Sequence, residues 1–121
     1  MFVFNGLKAA VTISGTVATG LAQPSSTQTP VSVGVSVINL HEAQTIYTVT
    51  SGKTFYLTAI FVLSGSAVQH ILDDTTEKLQ FKSYDFTITF PAPIPFTNSV
   101  KISADSQISG DSHYAIIGYE V

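Results

Sequence analysis

The feature that most constrains this chain is a long uncharged stretch near its N-terminus. From Ala9 to Leu40 there is no Asp, Glu, Lys or Arg, and two segments, 10–18 and 31–40, alternate aliphatic residues with small polar ones. A period of two is typical of a β-strand with one face in solvent and the other on a core. Charge on the solvent face normally keeps strands from pairing with other chains, so its absence predicts assembly. We therefore interpret residues 1–40 as an extended N-terminal β-arm that exchanges strands between subunits.

We expect this arm to dock on a partner subunit through its apolar side chains. Phe2 and Phe4 lie at its tip, in Met-Phe-Val-Phe, where the arm has no core of its own. Pro24 and Pro30 favour extended backbone between the two strand-like segments and are excluded from a central strand. A secretory signal is disfavoured because Thr, Ser and Gly interrupt the apolar run at strand spacing. The predicted anchor residues are Phe2, Phe4, Val11, Ile13, Val17, Val33, Val35 and Val37.

Residues 41–121 predict one antiparallel β-sandwich of jelly-roll type. Only 11% of the chain is charged, against roughly 25% in a typical soluble domain, and β-branched residues with Ser and Thr favour a pleated surface. The turn-forming triplets 51–53 and 64–66 predict two tight hairpins, and 73–76 predicts a third. The prolines in 91–95 require an edge strand or a crossover. The predicted strands are 45–50, 54–63, 67–72, 79–83, 86–90, 100–104 and 114–121.

The predicted core is small for an independent domain. A domain of about 80 residues is marginal alone, and apolar surface shared with a neighbour would enlarge its core. We therefore expect a homo-oligomer and favour a trimer. The residues predicted to face inward are Tyr47, Phe55, Leu57, Phe61, Leu72, Phe81, Phe86, Ile88, Phe90, Ile102 and Ile116.

Charge and cysteine content argue against several functional classes. The net charge is −3, and the five basic residues are all lysines scattered along the chain, whereas nucleic-acid binding needs clustered Lys and Arg. The chain has no cysteine, so thiolate catalysis and cysteine-ligated metal are excluded. No apolar run reaches the roughly 18 residues of a membrane span. The sequence predicts neither nucleic-acid binding nor membrane insertion.

The titratable residues do not form a recognisable catalytic or metal motif. His70 lies near Asp73 and Asp74 in the sequence, but on a strand His70 and Asp73 point to opposite faces. The carboxylates of 73–77 have the composition of a hairpin turn, where Asp usually bonds its own backbone. The nucleophile-elbow and phosphate-loop patterns are also missing. We predict no catalytic residues, no cofactor and no enzyme activity, with a small hydrolase as the least favoured alternative. No metal site is predicted within one chain, and a metal ion on an oligomer axis stays open as an alternative.

Aromatic residues offer a separate candidate for ligand binding. Tyr84 and Tyr114 are candidate ligand-binding residues, since exposed tyrosines can stack on sugars or form interface hot spots. The competing interpretation is that most of the aromatic side chains are simply core.

Residues 47–58, Tyr-Thr-Val-Thr-Ser-Gly-Lys-Thr-Phe-Tyr-Leu-Thr, resemble a hairpin of small β-sandwich virion proteins. In these proteins, from viruses of bacteria and archaea, the pattern is Tyr-x-Val-Pro-x-Gly-Lys-x-x-Tyr-Leu-Thr. Similar too are the Asp-rich turn at 73–75, the proline-containing crossover at 90–96 and the Gly118-Tyr119-Glu120 end. Thr50 stands where proline is common. The resemblance covers about residues 45–121 and, less closely, the arm.

The resemblance implies a structural protein of the virion surface rather than a catalyst. Members of this group are capsid decoration, head-fibre, turret or tail-tip modules. We therefore expect a capsid decoration or stabilisation protein that binds the major capsid protein or another virion protein. The alternative is a receptor-binding or glycan-binding module of a viral fibre or spike, whose partner would be a host-surface glycan.

Overall fold

The computed structural model describes residues 27–65, 67–82 and 85–121, and it confirms the predicted all-β sandwich. Within these residues the secondary structure consists of strands joined by short turns. In chain order they are β1 Thr29–Leu40, β2 Gln44–Thr48, β3 Phe55–Leu63, β4 Val68–Asp73, β5 Thr76–Lys82, β6 Asp85–Phe96, β7 Ser99–Ala104 and β8 Ile108–Glu120.

The strands form two four-stranded antiparallel sheets. The first sheet has the order β1-β8-β3-β6, and the second has the order β2-β7-β4-β5. Most consecutive strands therefore lie in opposite sheets, and most partners within a sheet are distant in sequence. Eight strands divided in this way have the architecture of a jelly roll.

Two of the three predicted hairpins are instead connections between sheets. The turn at 51–53 is where the sequence places it, with Gly52 at φ 81° and the Lys53 N–H bonded to the Thr50 carbonyl at 2.9 Å. However, β2 and β3 lie in different sheets, as do β3 and β4 on either side of 64–66. Only the turn at 73–76 closes a true hairpin, between β4 and β5. Turn residues determine where the chain reverses direction. Strand pairing depends instead on which strands can bond to the two edges of the long apolar strand β3, and these are β8 and β6.

The core is a single layer of side chains between the sheets. Leu57 and Ile116 of the first sheet and Ile71 and Ile102 of the second are fully buried. Each such side chain contributes about 1.5–3 kcal/mol through its removal from water. At one end of the layer the ring of Phe55 packs 5.2 Å from Tyr47 and 6.2 Å from Phe96, between centroids. Of the predicted inward set, Tyr47, Phe81, Phe86 and Phe90 are half-buried against this core.

A bulge in β3 makes one core prediction wrong. Phe55 and Leu57 point inward before the irregularity at 57–59, and Ile60 and Val62 point inward after it. The extra residue shifts the alternation by one position, so Phe61 points to solvent instead of the core. Strict period-two counting from Phe55 cannot detect such a shift.

Leu72 and Ile88 also differ from the prediction. In β4 the inward positions are taken by Gln69, Ile71 and Asp73, which leaves Leu72 half-buried on the other face. Ile88 pairs with the inward residue Ile60, but it lies on edge strand β6 and stays 43% exposed. The prolines of 91–95 lie on this same edge strand, as one of the two expected alternatives requires.

Residues 29–40, which the sequence assigns to the arm, form strand β1 of the sandwich. They pair with β8 over nearly their whole length, from Thr29 opposite Glu120 to Leu40 opposite Ile108. The alternating valines that suggested an assembly strand point toward the core of this same chain. The structure therefore places these residues in the domain, and the remainder of the predicted arm, residues 1–26, lies outside the described residues.

Two buried carboxylates fix the loops at one end of the sandwich. Asp73 accepts hydrogen bonds from the backbone N–H groups of Thr97, Asn98 and Ser99 at 2.8, 2.9 and 3.1 Å. Burial alone would raise the pKa of Asp73, but these donors favour the charged form and lower the pKa below its usual value. Asp73 is thus a structural clamp on the β6–β7 turn.

Glu120 plays the corresponding part at the β2–β3 turn. Its carboxylate accepts the Tyr47 hydroxyl at 2.7 Å and the Thr50 backbone N–H at 2.8 Å. Burial opposes the charge, yet the hydrogen bonds prevail and the pKa of Glu120 is lowered. Burial, together with the neighbouring carboxylate, raises the pKa of Tyr47 to about 12.

The close approach of β8 to β3 gives the first test of this fold. A Cβ added at Gly118 would overlap the Tyr56 carbonyl oxygen and the Phe55 ring. We expect Gly118→Ala to destabilise the protein by about 3 kcal/mol or to prevent folding, because the overlap involves backbone and a buried ring. Gly34→Ala in β1 is the matched control, since its Cβ would meet only the Tyr114 carbonyl oxygen at 3.9 Å. Urea unfolding of both variants checks this, and equal stability would contradict the described β3–β8 packing.

Candidate functional site

The outer faces of the two sheets differ in charge. The outer face of the second sheet carries His70, Glu77 and Lys101, and an ion pair joins Lys101 to Asp74 at 2.9 Å. The lysines in the described strands, Lys78, Lys82 and Lys101, all belong to this sheet. A charged outer face is the ordinary device that keeps a sheet solvated and unpaired.

The outer face of the first sheet has an apolar patch on its two central strands. The neighbouring strands β3 and β8 expose Phe61 (37%), Leu63 (56%) and Ile117 (40%), and β1 exposes Ile38 (69%). Ala115 lies between these side chains, opposite Phe61. We call Phe61, Leu63, Ala115 and Ile117 the outer apolar face. Clustered exposed apolar side chains of this kind mark interaction sites more often than scattered ones do.

The β3 bulge creates this face from an otherwise ordinary strand sequence. After the bulge, Ile60 and Val62 fill the core, and Phe61 and Leu63 are turned outward. The Thr58 hydroxyl donates to the Ile117 carbonyl oxygen at 2.9 Å beside the irregularity, which ties β3 to β8 there. The exposure of two large apolar residues is therefore built into the backbone and is not a local fraying.

Phe61 and Leu63 form a ridge with a depression on either side. On the β1 side is a shallow groove of about 340 Å³, lined by Gly34, Ser36, Phe61, Leu63, His113 and Ala115. On the β6 side a second depression of about 380 Å³ lies between Phe61, Leu63 and Thr87. The first groove exists because glycine and alanine stand where larger side chains would fill the space. A partner surface with protruding apolar side chains would fit into these two depressions.

Polar groups border the outer apolar face at one end and aromatic rings at the other. His113 lies with its Nδ1 atom 2.8 Å from the Ser36 hydroxyl, and Asp85 ends the sheet beside Leu63. Toward the opposite end Tyr56 and Tyr119 stack with their centroids 5.4 Å apart. An apolar centre with a polar rim is the usual anatomy of a protein interface.

The structure does not support the candidate ligand-binding role of Tyr114. This tyrosine is buried in the core, where its hydroxyl donates to the Gln69 side-chain oxygen at 2.7 Å. Burial raises the pKa of its hydroxyl. Its ring is therefore unavailable for stacking on a ligand. The other candidate, Tyr84, lies outside the described residues.

The predicted arm anchors divide into two groups. Val33, Val35 and Val37 are half-buried against the core of their own chain, on edge strand β1. The rest of the anchor set, Phe2, Phe4, Val11, Ile13 and Val17, lies outside the described residues. The sequence pattern does not reveal the outer apolar face, because period-two alternation from Phe55 places Phe61 in the core and gives Leu63 no role.

His70 has two carboxylate partners, neither of them the Asp73 considered in the sequence. Its Nδ1 atom lies 2.8 Å from Glu77 and its Nε2 atom 2.6 Å from Asp105. The Asp105 hydrogen bond raises the pKa of His70 most; partial burial opposes it, and Glu77 adds to the rise. Both ring nitrogens are engaged by carboxylates, an arrangement that favours the protonated form of His70.

Metal-binding clusters and membrane-spanning helices are absent from the described residues. These residues contain no cluster of three or more His, Asp or Glu side chains arranged to hold a metal ion. Within the same residues no helix is long and apolar enough to cross a bilayer.

Comparison with known proteins does not place this chain in a family. A scan against protein-family models gives no match, and a search of curated proteins gives none either.

The His70 cluster predicts a defined pH dependence of stability. Because the pKa of His70 is raised in the folded state, its stabilising effect is complete below the unfolded value of 6.5 and is lost as the pH rises through the higher folded value. We expect the difference in Tm between wild type and His70→Gln to be largest near pH 5.5 and to shrink toward about pH 8.5. Thermal unfolding across this range measures it. His41→Gln, at an exposed position, is the control, and a difference that grows with pH would contradict the assignment.

Proposed function

We propose that this chain is a structural protein of a virion surface, which attaches to the capsid through the outer apolar face. In this function it decorates and stabilises the particle, and its direct partner is the major capsid protein or another virion protein. The N-terminal residues 1–26 act as an additional arm in the same attachment. The proposal involves no catalytic step.

The observation that carries the proposal is the contrast between the two outer faces. One sheet presents charge, and the other presents a ridge of Phe61 and Leu63 with Ile117 beside it. Keeping these side chains in water forgoes about 25 cal/mol for each Å² of apolar surface that a partner would cover. A partner that covers the ridge and both depressions regains this free energy, which would stabilise the attachment.

The fold and the resemblance of residues 47–58 supply the viral setting. Jelly rolls are common in viral capsid proteins, although lectin domains and cupins share the architecture. Fold alone therefore does not separate these functions. The Tyr-x-Val-x-x-Gly-Lys-x-x-Tyr-Leu-Thr match, here bent across two sheets at Gly52, favours the virion proteins among them.

The glycan-binding alternative has less support after the placement of Tyr114 in the core. A sugar site combines a stacking ring with several polar groups that converge on hydroxyls. The outer apolar face has a single ring, that of Phe61, among aliphatic side chains, and the polar groups lie at its rim. Binding to a glycan array that Leu63→Lys leaves unchanged would favour the alternative over the proposal.

A single lysine in the ridge tests the attachment surface. Leu63→Lys should weaken binding to virions of the encoding virus by about tenfold or more, because the ammonium group would have to be desolvated in the contact. Cosedimentation of the purified chain with virions that lack it gives the affinity. Gln80→Lys, which adds the same charge at an exposed position of the second sheet, should bind like wild type. Equal loss in both variants, or no loss in either, would overturn the proposal.

Truncation tests the contribution of the N-terminal residues. Removal of residues 1–26 should leave a cooperative unfolding transition, because residues 29–120 contain the eight strands that the structure describes. The shortened chain should nevertheless bind virions more weakly than the full chain. Circular dichroism and the same cosedimentation assay check the two parts. Wild-type affinity of the folded, shortened chain would remove the arm from the proposed function.

A further inference from the structure

The four edge strands of the sandwich are not equally protected against pairing with another chain. β2 has only five residues, β5 carries Glu77, Lys78 and Lys82, and β6 holds three prolines between 91 and 95. Shortness, charge and proline are the devices that natural sheets use to block their edges. Three of the four edges therefore carry a recognisable block.

The fourth edge, β1, carries no such block along its central part. It has twelve residues with no charge, and its one proline, Pro30, lies at its beginning. Within the described residues β1 pairs only with β8, so the backbone groups on its other side have no strand partner there. A long, uncharged, regular edge strand is a template for strand addition.

We infer that the free edge of β1 pairs antiparallel with β1 of a second copy of this chain. This inference deepens the proposed structural function by naming one partner and one contact surface. It joins two four-stranded sheets into one continuous sheet across a twofold axis. The contact lies at the edge of the first sheet and leaves the outer apolar face free for the capsid.

The sequence of β1 suits pairing with itself. Antiparallel partners must face the same side of a sheet, and a twofold axis at Val35 satisfies this with Val33 opposite the second copy's Val37. Ser32 then faces Ile38, and Gly34 faces Ser36. This register uses residues 32–38 and leaves out Pro30 and Asn39, whose φ of 54° interrupts the regular strand. No like charges meet, and the half-buried valines of both copies gain cover at the joined edge.

A second copy of β1 fits better than the similar segment 10–18. β1 is already held along its length by β8, so a β1–β1 contact adds ladder hydrogen bonds without ordering a new strand. Segment 10–18 shares the alternation and, like β1 with Gly34, contains a central glycine, Gly15, so the preference rests on the support that β8 already gives to β1. The two occupants predict different effects of substitution.

Charge exchange across the twofold axis tests the inference in the full chain. Ser32 and Ile38 are exposed and lie outside the groove residues, so charged substitutions should leave the fold intact. We expect Ser32→Lys alone and Ile38→Glu alone each to weaken dimerisation by about tenfold, because each dimer loses two cross-strand pairs. Mixing the two variants should restore a dimer, in which Lys at 32 faces Glu at 38. Sedimentation over a wide concentration range measures the dissociation constants.

Two further variants separate the competing outcomes. Leu63→Lys should dimerise like wild type even though it is expected to lose virions, so the inference and the proposed function can fail independently. Ile13→Lys should leave dimerisation and the hydrogen-exchange protection of β1 unchanged. Loss of that protection in Ile13→Lys would show that segment 10–18, and not a second copy of β1, pairs with the edge of β1, and it would overturn the inference. A wild-type monomer, a trimer insensitive to Ser32→Lys, or failure of the mixed variants to associate would overturn it too.

Discussion

The sandwich depends on the insertion of its last strand, β8, between β1 and β3. These pairings join residues far apart in the chain, such as Ser36 and His113, which are 77 positions apart. Until β8 is in place, β1 has no partner among the described strands and β3 is covered by β6 alone. Long-range pairing of this kind costs loop-closure entropy before it yields contacts, so slow folding is expected. The buried Glu120 then fastens the end of β8 to the β2–β3 turn through Tyr47 and Thr50.

Strand positions could be predicted from the sequence, whereas strand partners could not. Alternation of apolar and polar residues and the glycine or aspartate turns placed each of the described strands, although β6 ends six residues later and β8 begins six residues earlier than predicted. The partners depend on contacts between segments that no local pattern records. The turn residues at Gly52 and Gly65 therefore predict hairpins, whereas in the structure these turns link the two sheets. Local patterns also do not show that β1 pairs with β8, so its uncharged alternation predicts an arm instead of a strand of the sandwich.

The candidate surface was less predictable than the fold. Period-two alternation from Phe55 places Phe61 in the core, but the bulge at 57–59 shifts this alternation by one residue. The aromatic chemistry of Tyr114 suggests a ligand-binding residue, but on β8 Tyr114 points the same way as Ile116 and is therefore buried in the core. The sequence does contain the charge contrast, since β3 has no ionisable side chain apart from Tyr56 while β5 has three charged ones. Its meaning becomes visible only when the strands are sorted into sheets.

The bulge in β3 has a consequence for how this surface can change. Phe61 and Leu63 are outside, and Ile60 and Val62 inside, because of one extra residue rather than because of their own chemistry. Deletion of that residue would exchange the two pairs without any substitution in the strand. Which apolar side chains β3 exposes on the outer face therefore depends on the number of residues between Leu57 and Ile60. A single insertion or deletion there can change it. Related chains can be compared at this point by length alone, even where their residues have diverged beyond alignment.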